Sequence, residues 1–215
     1  MKPSTSCPAP RVIARRSAVA GIAATIVAPV FIRDALAQAT RRPTPAQTEG
    51  PFYPVTLPAD TDFDLLIQGN VHYMLGEAVW LSGAVLDTAG RAVRGAVVEI
   101  WQCDQQGRYH HPGDGGRADK AFQGFGRVAV GAAGEYRFHT IRPVPYAGRT
   151  PHVHVKVRLA QRELLTTQLY VEGDPGNARD GLWRSLDAAD RAAVTAPFER
   201  AADGLRARFE IVVDA

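Results

Sequence analysis

Residues 95–107 read GAVVEIWQCDQQG, an apolar run that ends in a polar turn. β-Branched and aromatic side chains favour strands, and a polar cluster containing glycine favours a turn. Just upstream, apolar or small residues alternate with others over residues 79–85, and Asp87-Thr88-Ala89-Gly90 supplies a further turn. Alternation with a period of two is typical of a strand that buries one face. This part of the chain therefore predicts short strands joined by tight turns.

The same pattern continues to the C-terminus. Further candidate strands lie at residues 126–130, 136–141, 152–159, 164–171 and 206–213. Such a series, without alternating helices, is typical of an antiparallel sandwich. One helix is predicted over residues 188–194, with Ser185 as its cap and Asp187 near its positive end. We expect an all-β fold over residues 79–215, an antiparallel β-sandwich with long active-site loops and one short helix near the C-terminus.

The beginning of the chain has the features of a signal peptide. Arg15-Arg16 precede an apolar run at residues 18–31, and Ala35-Leu36-Ala37 forms a cleavage signal. The paired arginines are typical of the twin-arginine route, although Ala18 stands where that signal carries a larger apolar residue. We expect residues 1–37 to be a signal peptide and the mature protein to be exported, periplasmic or secreted, from a bacterium. Residues 38–78 are predicted to form an extended N-terminal arm.

The charge of the mature part argues against a nucleic-acid partner. Five of the 25 basic residues and one of the 22 acidic residues fall within residues 1–37, which leaves 20 basic and 21 acidic residues. The basic character therefore belongs largely to the predicted signal and does not indicate nucleic-acid binding. Cys7 lies there too, so Cys103 has no partner for an intramolecular disulfide and is expected to be a buried apolar filler.

A His-x-His pair, His152 and His154, lies on one predicted strand. Residues two apart on a strand point to the same face, and neutral imidazole is a common metal ligand. A cupin site would require an acid four or five positions after the second histidine, where arginine and leucine stand, and a later histidine, which is missing. A facial site of two histidines and one carboxylate lacks its acid. A zinc site remains open, with a third ligand from His110, His111 or His139.

Tyrosines recur beside these histidines. A phenol normally titrates near pH 10, so it ionises at neutral pH only beside a strong Lewis acid such as ferric iron. Two phenolates, two neutral imidazoles and a hydroxide would balance three positive charges. Tyr109, Tyr146, His152 and His154 are the candidate set.

Five motifs, in order, carry a resemblance to a known family. They are TEGPFYP (48–54), GAVVEIWQCDQQGRYHHP (95–112), FQGFGR (122–127), GEYRFHTIRPVPYAGRTPHVH (134–154) and TQLYVEGDP (167–175). Together they resemble the intradiol ring-cleavage dioxygenases, typified by protocatechuate 3,4-dioxygenase and catechol 1,2-dioxygenase. The resemblance implies a non-haem Fe(III) centre that cleaves a catecholic ring with O2 to a cis,cis-muconate-type diacid.

The resemblance also implies residue roles. Tyr109, Tyr146, His152 and His154 match the metal ligands. Tyr146 also matches the ligand that leaves the metal when substrate binds and helps accept a proton. Arg149 matches the cation that stabilises negative charge on the ring, and Gln168 matches a polar neighbour of it. The catalytic candidates are therefore Tyr146, Arg149 and Gln168.

Substrate, partners and one rival function complete the expectations. Tyr53 and His110 are the candidate substrate-pocket residues. The expected partners are a catecholic small molecule and O2. The chain is also a candidate homo-oligomer, and we expect no membrane span in the mature form. The passage GAVLDTAGRAVRGAVVEI (83–100) also resembles transthyretin-like and carboxypeptidase-regulatory sandwiches, which are often non-enzymatic binding modules. The tyrosine–histidine cluster favours the enzyme, since a binding module needs no four convergent ligands.

Overall fold

The structure is a computed structural model that describes residues 1, 40–202 and 204–215. The fold below is that of the unit Ala37–Ala215. Residues 2–37 of the predicted signal peptide lie outside the described residues. No helix in the described part of the chain is long and apolar enough to cross a membrane.

Strands dominate the described residues. They are β1 (Ile67–Gln68), β2 (Val71–His72), β3 (Ala78–Asp87), β4 (Ala96–Trp101), β5 (Phe125–Ala129), β6 (Glu135–Ile141), β7 (His152–Leu159), β8 (Arg162–Val171), β9 (Thr195–Ala196), β10 (Phe198–Ala201), β11 (Gly204–Arg208) and β12 (Ile211–Val213). β1 and β2 pair as a small antiparallel hairpin inside the segment predicted to be an extended arm.

The longer strands form two five-stranded sheets. In the first sheet the order is β10-β11-β3-β12, with β6 also paired to β3, and in the second it is β5-β4-β7-β8-β9. Apolar side chains from both sheets form one core, which includes Val79 and Phe138 of the first sheet and Ile100, Val155 and Leu169 of the second. The predicted sandwich is confirmed. Its sheets are mixed, however, because β11 and β12 run parallel to β3, and β9 runs parallel to β8.

The predicted strand at residues 206–213 is interrupted at Phe209 and Glu210. There the Phe209 amide donates to the Ser82 carbonyl, and the Phe209 carbonyl accepts a hydrogen bond from Tyr136 at 2.6 Å. The backbone crosses so close to Gly83 that a Cβ at this glycine would lie 1.8 Å from the Phe209 oxygen. Two short strands, β11 and β12, therefore replace one long strand.

Two short helices precede the last strands, where the sequence predicts one. α1 spans Gly181–Ser185 and α2 spans Ala188–Ala193. Ser185 was predicted to cap the helix, but it is the last residue of α1, and the side chain of Asp187 caps α2 by accepting from the Asp190 amide. Short 3-10 turns occupy Pro112–Asp114 and Asn177–Arg179.

The second sheet buries both of its faces. Val98 and Ile100 of β4 point into the core, whereas Glu99 and Trp101 point to the outer face and are still almost fully buried. Residues 44–54, here called the covering segment, lie over that outer face. The Gln47 amide donates to the Thr166 carbonyl, and the Thr48 carbonyl accepts from the Gln168 side chain. This protected outer face carries the candidate site.

Candidate functional site

The two histidines lie at the centre of the outer face, on β7. Across the sheet, His152 is opposite Tyr170, and His154 is opposite Gln168 on one side and Trp101 on the other. Each histidine is 1% exposed, and their Nε2 atoms are 3.2 Å apart. The imidazoles therefore converge, as their spacing predicts.

Both imidazoles present unprotonated nitrogen. Burial, together with the nearby positive charge of Arg149, lowers the pKa of His152 to about 4. Burial and the neighbouring His152 hold the pKa of His154 well below its usual value. The Nδ1 atom of His152 lies 2.6 Å from the Thr150 carbonyl, an acceptor only, so Nδ1 carries the proton and Nε2 has a free lone pair. Nδ1 of His154 has no hydrogen-bond partner among the described residues.

The two tyrosines complete a circle of four rings. Centroid distances are 4.9 Å from Tyr109 to Tyr146, 5.3 Å from Tyr146 to His152, 4.7 Å from His152 to His154 and 5.9 Å from His154 back to Tyr109. Tyr109 follows the turn after β4, and Tyr146 precedes β7. The structure thus brings together all four predicted metal ligands from two loops and one strand.

Both phenols keep their protons in this environment. Burial raises the pKa of Tyr109 well above its usual value and also raises that of Tyr146. The Tyr109 side chain is almost fully buried, and its hydroxyl makes no hydrogen bond of normal geometry among the described residues, although the Tyr146 hydroxyl is its polar neighbour. A buried hydroxyl without a partner is costly. A bound cation that ionises the phenol would remove that cost.

A strained turn sets Tyr146 beside Arg149. The Arg149 amide donates to the Tyr146 carbonyl at 2.7 Å, and the two central residues, Ala147 and Gly148, have φ of 42° and 79°. Positive φ at both central positions defines a type I′ turn, which glycine adopts easily and alanine does not. Strain of this kind is characteristic of functional sites.

Arg149 is held by a carboxylate that the sequence did not single out. Its Nε donates to Asp180 at 2.6 Å, and its guanidinium also donates to Oε1 of Gln168 at 2.6 Å. Asp180 is 2% exposed and also accepts from backbone amides of α1 as its N-cap. Burial opposes ionisation of Asp180, but the hydrogen bond from Arg149 and those from backbone amides keep its pKa below the usual value. Recognising the N-cap of α1 would have located this residue in the chain, though not beside Arg149.

A cavity of about 290 Å³ adjoins the ring of four residues. Tyr109 and Trp101 form part of its wall, and the ring of Trp101 stacks on His154 at 4.8 Å. The predicted pocket residue His110 also lines it, with Nε2 2.6 Å from the Phe122 carbonyl. Phe52, rather than the predicted Tyr53, faces the cavity and stacks on Tyr109 at 4.7 Å.

Tyr53 lies in a different cluster on the same face. Its hydroxyl donates to Glu99 at 2.9 Å, and the Lys156 ammonium lies 3.9 Å from the centre of its ring. Lys156 also pairs with Glu49 and with Glu163. Tyr53 therefore helps to fix the covering segment to the sheet and is not part of the cavity wall.

The three-histidine zinc site is not assembled within the described residues. His139 lies on the other sheet, where it pairs with Asp64 and stacks on Trp80. No group of three or more His, Cys, Asp and Glu side chains there could hold a metal. Cys103 is buried as expected, and burial raises the pKa of its thiol to about 12. A metal on this face would depend on the tyrosines.

Comparison with known proteins places these features in context. A family model described as "Dioxygenase" matches residues 48–215. Hydroxyquinol 1,2-dioxygenase of Corynebacterium glutamicum is 33% identical over 156 residues, which cover 64% of this chain and 49% of that protein. The protocatechuate 3,4-dioxygenase beta chain of Burkholderia cepacia is 39% identical over 129 residues, which cover 54% of each chain. The chain spans about half the length of these curated relatives.

Solved structures show the same fold. The dioxygenase domain of a dioxygenase–carbohydrate-binding protein fusion from Streptomyces sp. SirexAA-E is 32% identical, with a TM-score of 0.65, and the match covers 81% of this chain and 99% of that one. Hydroxyquinol 1,2-dioxygenase from Pseudomonas putida is 21% identical with a TM-score of 0.63, and the match covers 83% of this chain and 68% of that one. The second likeness concerns the fold alone.

Proposed function

The chain belongs to the intradiol ring-cleavage dioxygenase family, and we propose that it is a non-haem Fe(III)-dependent enzyme that cleaves a catecholic ring with O2 to a cis,cis-muconate-type diacid. The observation that carries the proposal is the ring of four residues. Two neutral imidazoles and two phenols converge on one point of a buried sheet face.

The donor set fits ferric iron. Tyr109, Tyr146, His152 and His154 would hold the ion. The Tyr109 hydroxyl is buried without a well-formed hydrogen bond among the described residues, and the Nε2 atoms of the two histidines face each other at 3.2 Å. When bound, ferric iron supplies the Lewis acidity that ionises phenols and draws electron density from a catecholate. Two phenolates and a hydroxide balance the three charges of ferric iron but exceed the two charges of zinc, so zinc explains the tyrosines less well.

Neighbouring groups orient the histidines. The Thr150 carbonyl fixes the tautomer of His152, because only a protonated Nδ1 can donate to it. The Trp101 ring stacks on His154 with an angle of 8° between the planes. Gly50 of the covering segment also approaches this ring, since a Cβ there would lie 3.4 Å from Cε1 of His154. The imidazoles therefore stay aimed at one point.

Arg149 and Tyr146 supply the remaining chemistry. The guanidinium of Arg149 stays positive beside Asp180, and its hydrogen bond to Gln168 fixes its direction. A fixed cation stabilises negative charge that develops on a nearby ring without any reorganisation. The phenol of Tyr146 is only half-buried, so it has room to leave the set and hold a proton from the substrate.

The rival interpretation is a non-enzymatic binding module. It would leave the buried Tyr109 hydroxyl and the converging imidazoles without a use, whereas a metal-dependent enzyme uses both. The names of the relatives support the enzyme and not the module.

Colour and oxygen uptake test the proposal. Protein loaded with Fe(III) is expected to be reddish, from charge transfer between tyrosinate and iron, and to consume O2 when catechol is added. His152→Ala should lose both properties, whereas His72→Ala, at an exposed position on β2, should keep them. A colourless protein that consumes no O2 after iron loading would refute the function.

Export and assembly complete the proposal. The twin arginines, apolar run and Ala-x-Ala signal of residues 1–37 support an exported, periplasmic or secreted enzyme. Fractionation of expressing bacteria tests this, and exclusively cytoplasmic, full-length protein would contradict it. We also propose that the protein is an oligomer, supported only by the alpha and beta chain names of relatives, which denote assemblies of unlike subunits. Light scattering on the purified chain tests whether it forms a homo-oligomer, and a monomer would contradict it.

A further inference from the structure

Lys156 is a nearly fully buried lysine on the face that carries the site. It lies two residues after His154 on β7, so the side chains of His152, His154 and Lys156 project from the same face of the strand. The Lys156 side chain is 5% exposed, and a lysine is almost never so buried unless it is paired. None of the roles assigned to the four proposed ligands or to Arg149 uses this charge. Its contacts therefore indicate what it does.

The Lys156 ammonium pairs with two carboxylates. One belongs to Glu49 of the covering segment and the other, at 3.3 Å, to Glu163 of β8. The two acids have similar exposure, 43% for Glu49 and 48% for Glu163. β7 and β8 are already paired along their length, so the contact with Glu163 joins elements that the sheet holds together in any case. The contact with Glu49 joins the covering segment to the sheet.

The covering segment is attached to the sheets in two different ways. Residues 44–48 make backbone hydrogen bonds to β8 and β12. In the described part of the chain, no backbone–backbone hydrogen bond joins residues 49–53 to a strand. Side chains hold this second half instead. Glu49 pairs with Lys156, and the ring of Tyr53 lies over the same ammonium at 3.9 Å.

The stretch between these two contacts touches the ring of four residues. Gly50 approaches Cε1 of His154, and Phe52 stacks on Tyr109 with 4.7 Å between the ring centroids. The two residues that contact the Lys156 ammonium border this stretch on either side. Lys156 therefore holds both ends of the part of the covering segment that closes over the site.

We propose that Lys156 is a positioning residue whose pair with Glu49 keeps the covering segment closed over the proposed metal site and so limits the access of solvent to it. The inference rests on the proposed function, since it assigns a metal to the ring of four residues. Without the pair, water solvates the half-exposed Glu49 carboxylate, and residues 49–53 open more often while the core stays folded. Lys156 takes no part in the ring cleavage itself.

The two acids on one lysine provide a matched pair of variants. Glu49→Gln and Glu163→Gln each remove one charged partner of Lys156, by the same chemical change and at similar exposure. When iron-loaded protein is mixed with an excess of a strong chelator, the loss of absorption gives the rate of Fe(III) removal. Glu49→Gln should lose iron about fivefold faster than the wild type, the effect of one partly exposed ion pair on the opening equilibrium. Glu163→Gln should keep the wild-type rate.

A second readout needs no metal. Diethyl pyrocarbonate modifies accessible neutral imidazoles, and mass spectrometry of the metal-free protein gives the labelling rate of the peptide that contains His152 and His154. This rate should also rise about fivefold in Glu49→Gln. The rate at His72, which is exposed on β2, should be the same in every variant. Lys156→Met keeps most of the side-chain stem without the charge and should behave as Glu49→Gln does.

The outcomes separate this inference from the proposed function. Equal rates in Glu49→Gln and Glu163→Gln, in either assay, would overturn the inference, and so would a rise in labelling that His72 shares. If the wild type binds iron with the expected colour and these rates are equal, the inference is wrong and the dioxygenase function stands. If the wild type binds no iron, the proposed function fails, and labelling of the metal-free protein alone decides whether the pair keeps the segment closed.

Discussion

Removing the hydroxyl of Tyr109 should have opposite effects on the metal-free and the iron-loaded protein. In the metal-free form this hydroxyl is buried, and no hydrogen bond of normal geometry among the described residues satisfies it. An unsatisfied buried polar group costs about 1–3 kcal/mol, so Tyr109→Phe should raise the free energy of unfolding by about 1 kcal/mol. With Fe(III) the same change removes a phenolate ligand, so colour should fade and iron should bind more weakly.

Tyr136 offers a matched control. It is also a buried tyrosine, but its hydroxyl donates to the Phe209 carbonyl at 2.6 Å. Tyr136→Phe leaves that carbonyl unsatisfied, so unfolding should become easier by about 1–3 kcal/mol, with the colour of the iron-loaded protein unchanged. Only a metal ligand combines a stabilised metal-free form with a bleached iron form.

Urea denaturation of chelator-treated protein measures the free energy of unfolding of the metal-free form. Absorption during titration with Fe(III) measures the colour and the affinity for iron. The reasoning is refuted if Tyr109→Phe destabilises the metal-free protein as much as Tyr136→Phe does. It is equally refuted if Tyr109→Phe, once iron-loaded, has the absorption spectrum of the wild type.

The other predictions concern the support of Arg149. Asp180→Ala leaves the guanidinium of Arg149 without its carboxylate and removes the cap of α1. The free energy of unfolding measured in urea should therefore fall by about 3 kcal/mol, and turnover should fall as well. Full activity would contradict the role of Asp180. Because the pKa of Asp180 is below the usual 3.8, its contribution to stability is complete above that pH and is lost as the pH falls through the lower folded-state value. The stability difference between wild type and Asp180→Asn should therefore be constant above about pH 5 and shrink in stronger acid, and a difference independent of pH down to 2 would contradict the ion pair. Ala147→Gly should relieve the positive φ of the Tyr146–Arg149 turn and raise the thermal midpoint by an amount equivalent to about 0.5–1 kcal/mol, whereas a lowered midpoint would show that the turn is unstrained.

Local patterns in the sequence predicted most of the strands. Alternation along β3 and the β-branched run of β4 survive in the structure because each strand has one face in the core. The break at Phe209 could not be predicted in this way, since it depends on Gly83 more than a hundred positions earlier in the chain. Likewise, the sequence predicts one helix capped by Ser185, but the structure has two. Asp187 caps α2, because its side chain accepts a hydrogen bond from the Asp190 amide.

In the candidate site, too, local sequence predicted some features, whereas others depend on contacts between distant parts of the chain. The convergence of His152 and His154 follows from strand geometry alone. The two tyrosines were predicted because phenols ionise beside a strong Lewis acid and because the sequence resembles the family. Asp180 was missed because it meets Arg149 only through the folding of the chain after β8. Phe52 and Tyr53 are neighbours whose side chains point in different directions, so the path of the covering segment decides which one faces the cavity.

The site occupies the face of the second sheet that points away from the shared core, under a cover of eleven residues, 44–54. Strand residues of that sheet alternate between the two faces, so one of two neighbouring positions packs in the core and the other lies at the site. Val153 and Val155 serve folding, while His152 and His154 serve the site. Evolution can therefore vary the covering segment and the cavity wall to change what is bound with little effect on the core. Under the proposed function, this separation would let the bound molecule change while the scaffold stays the same.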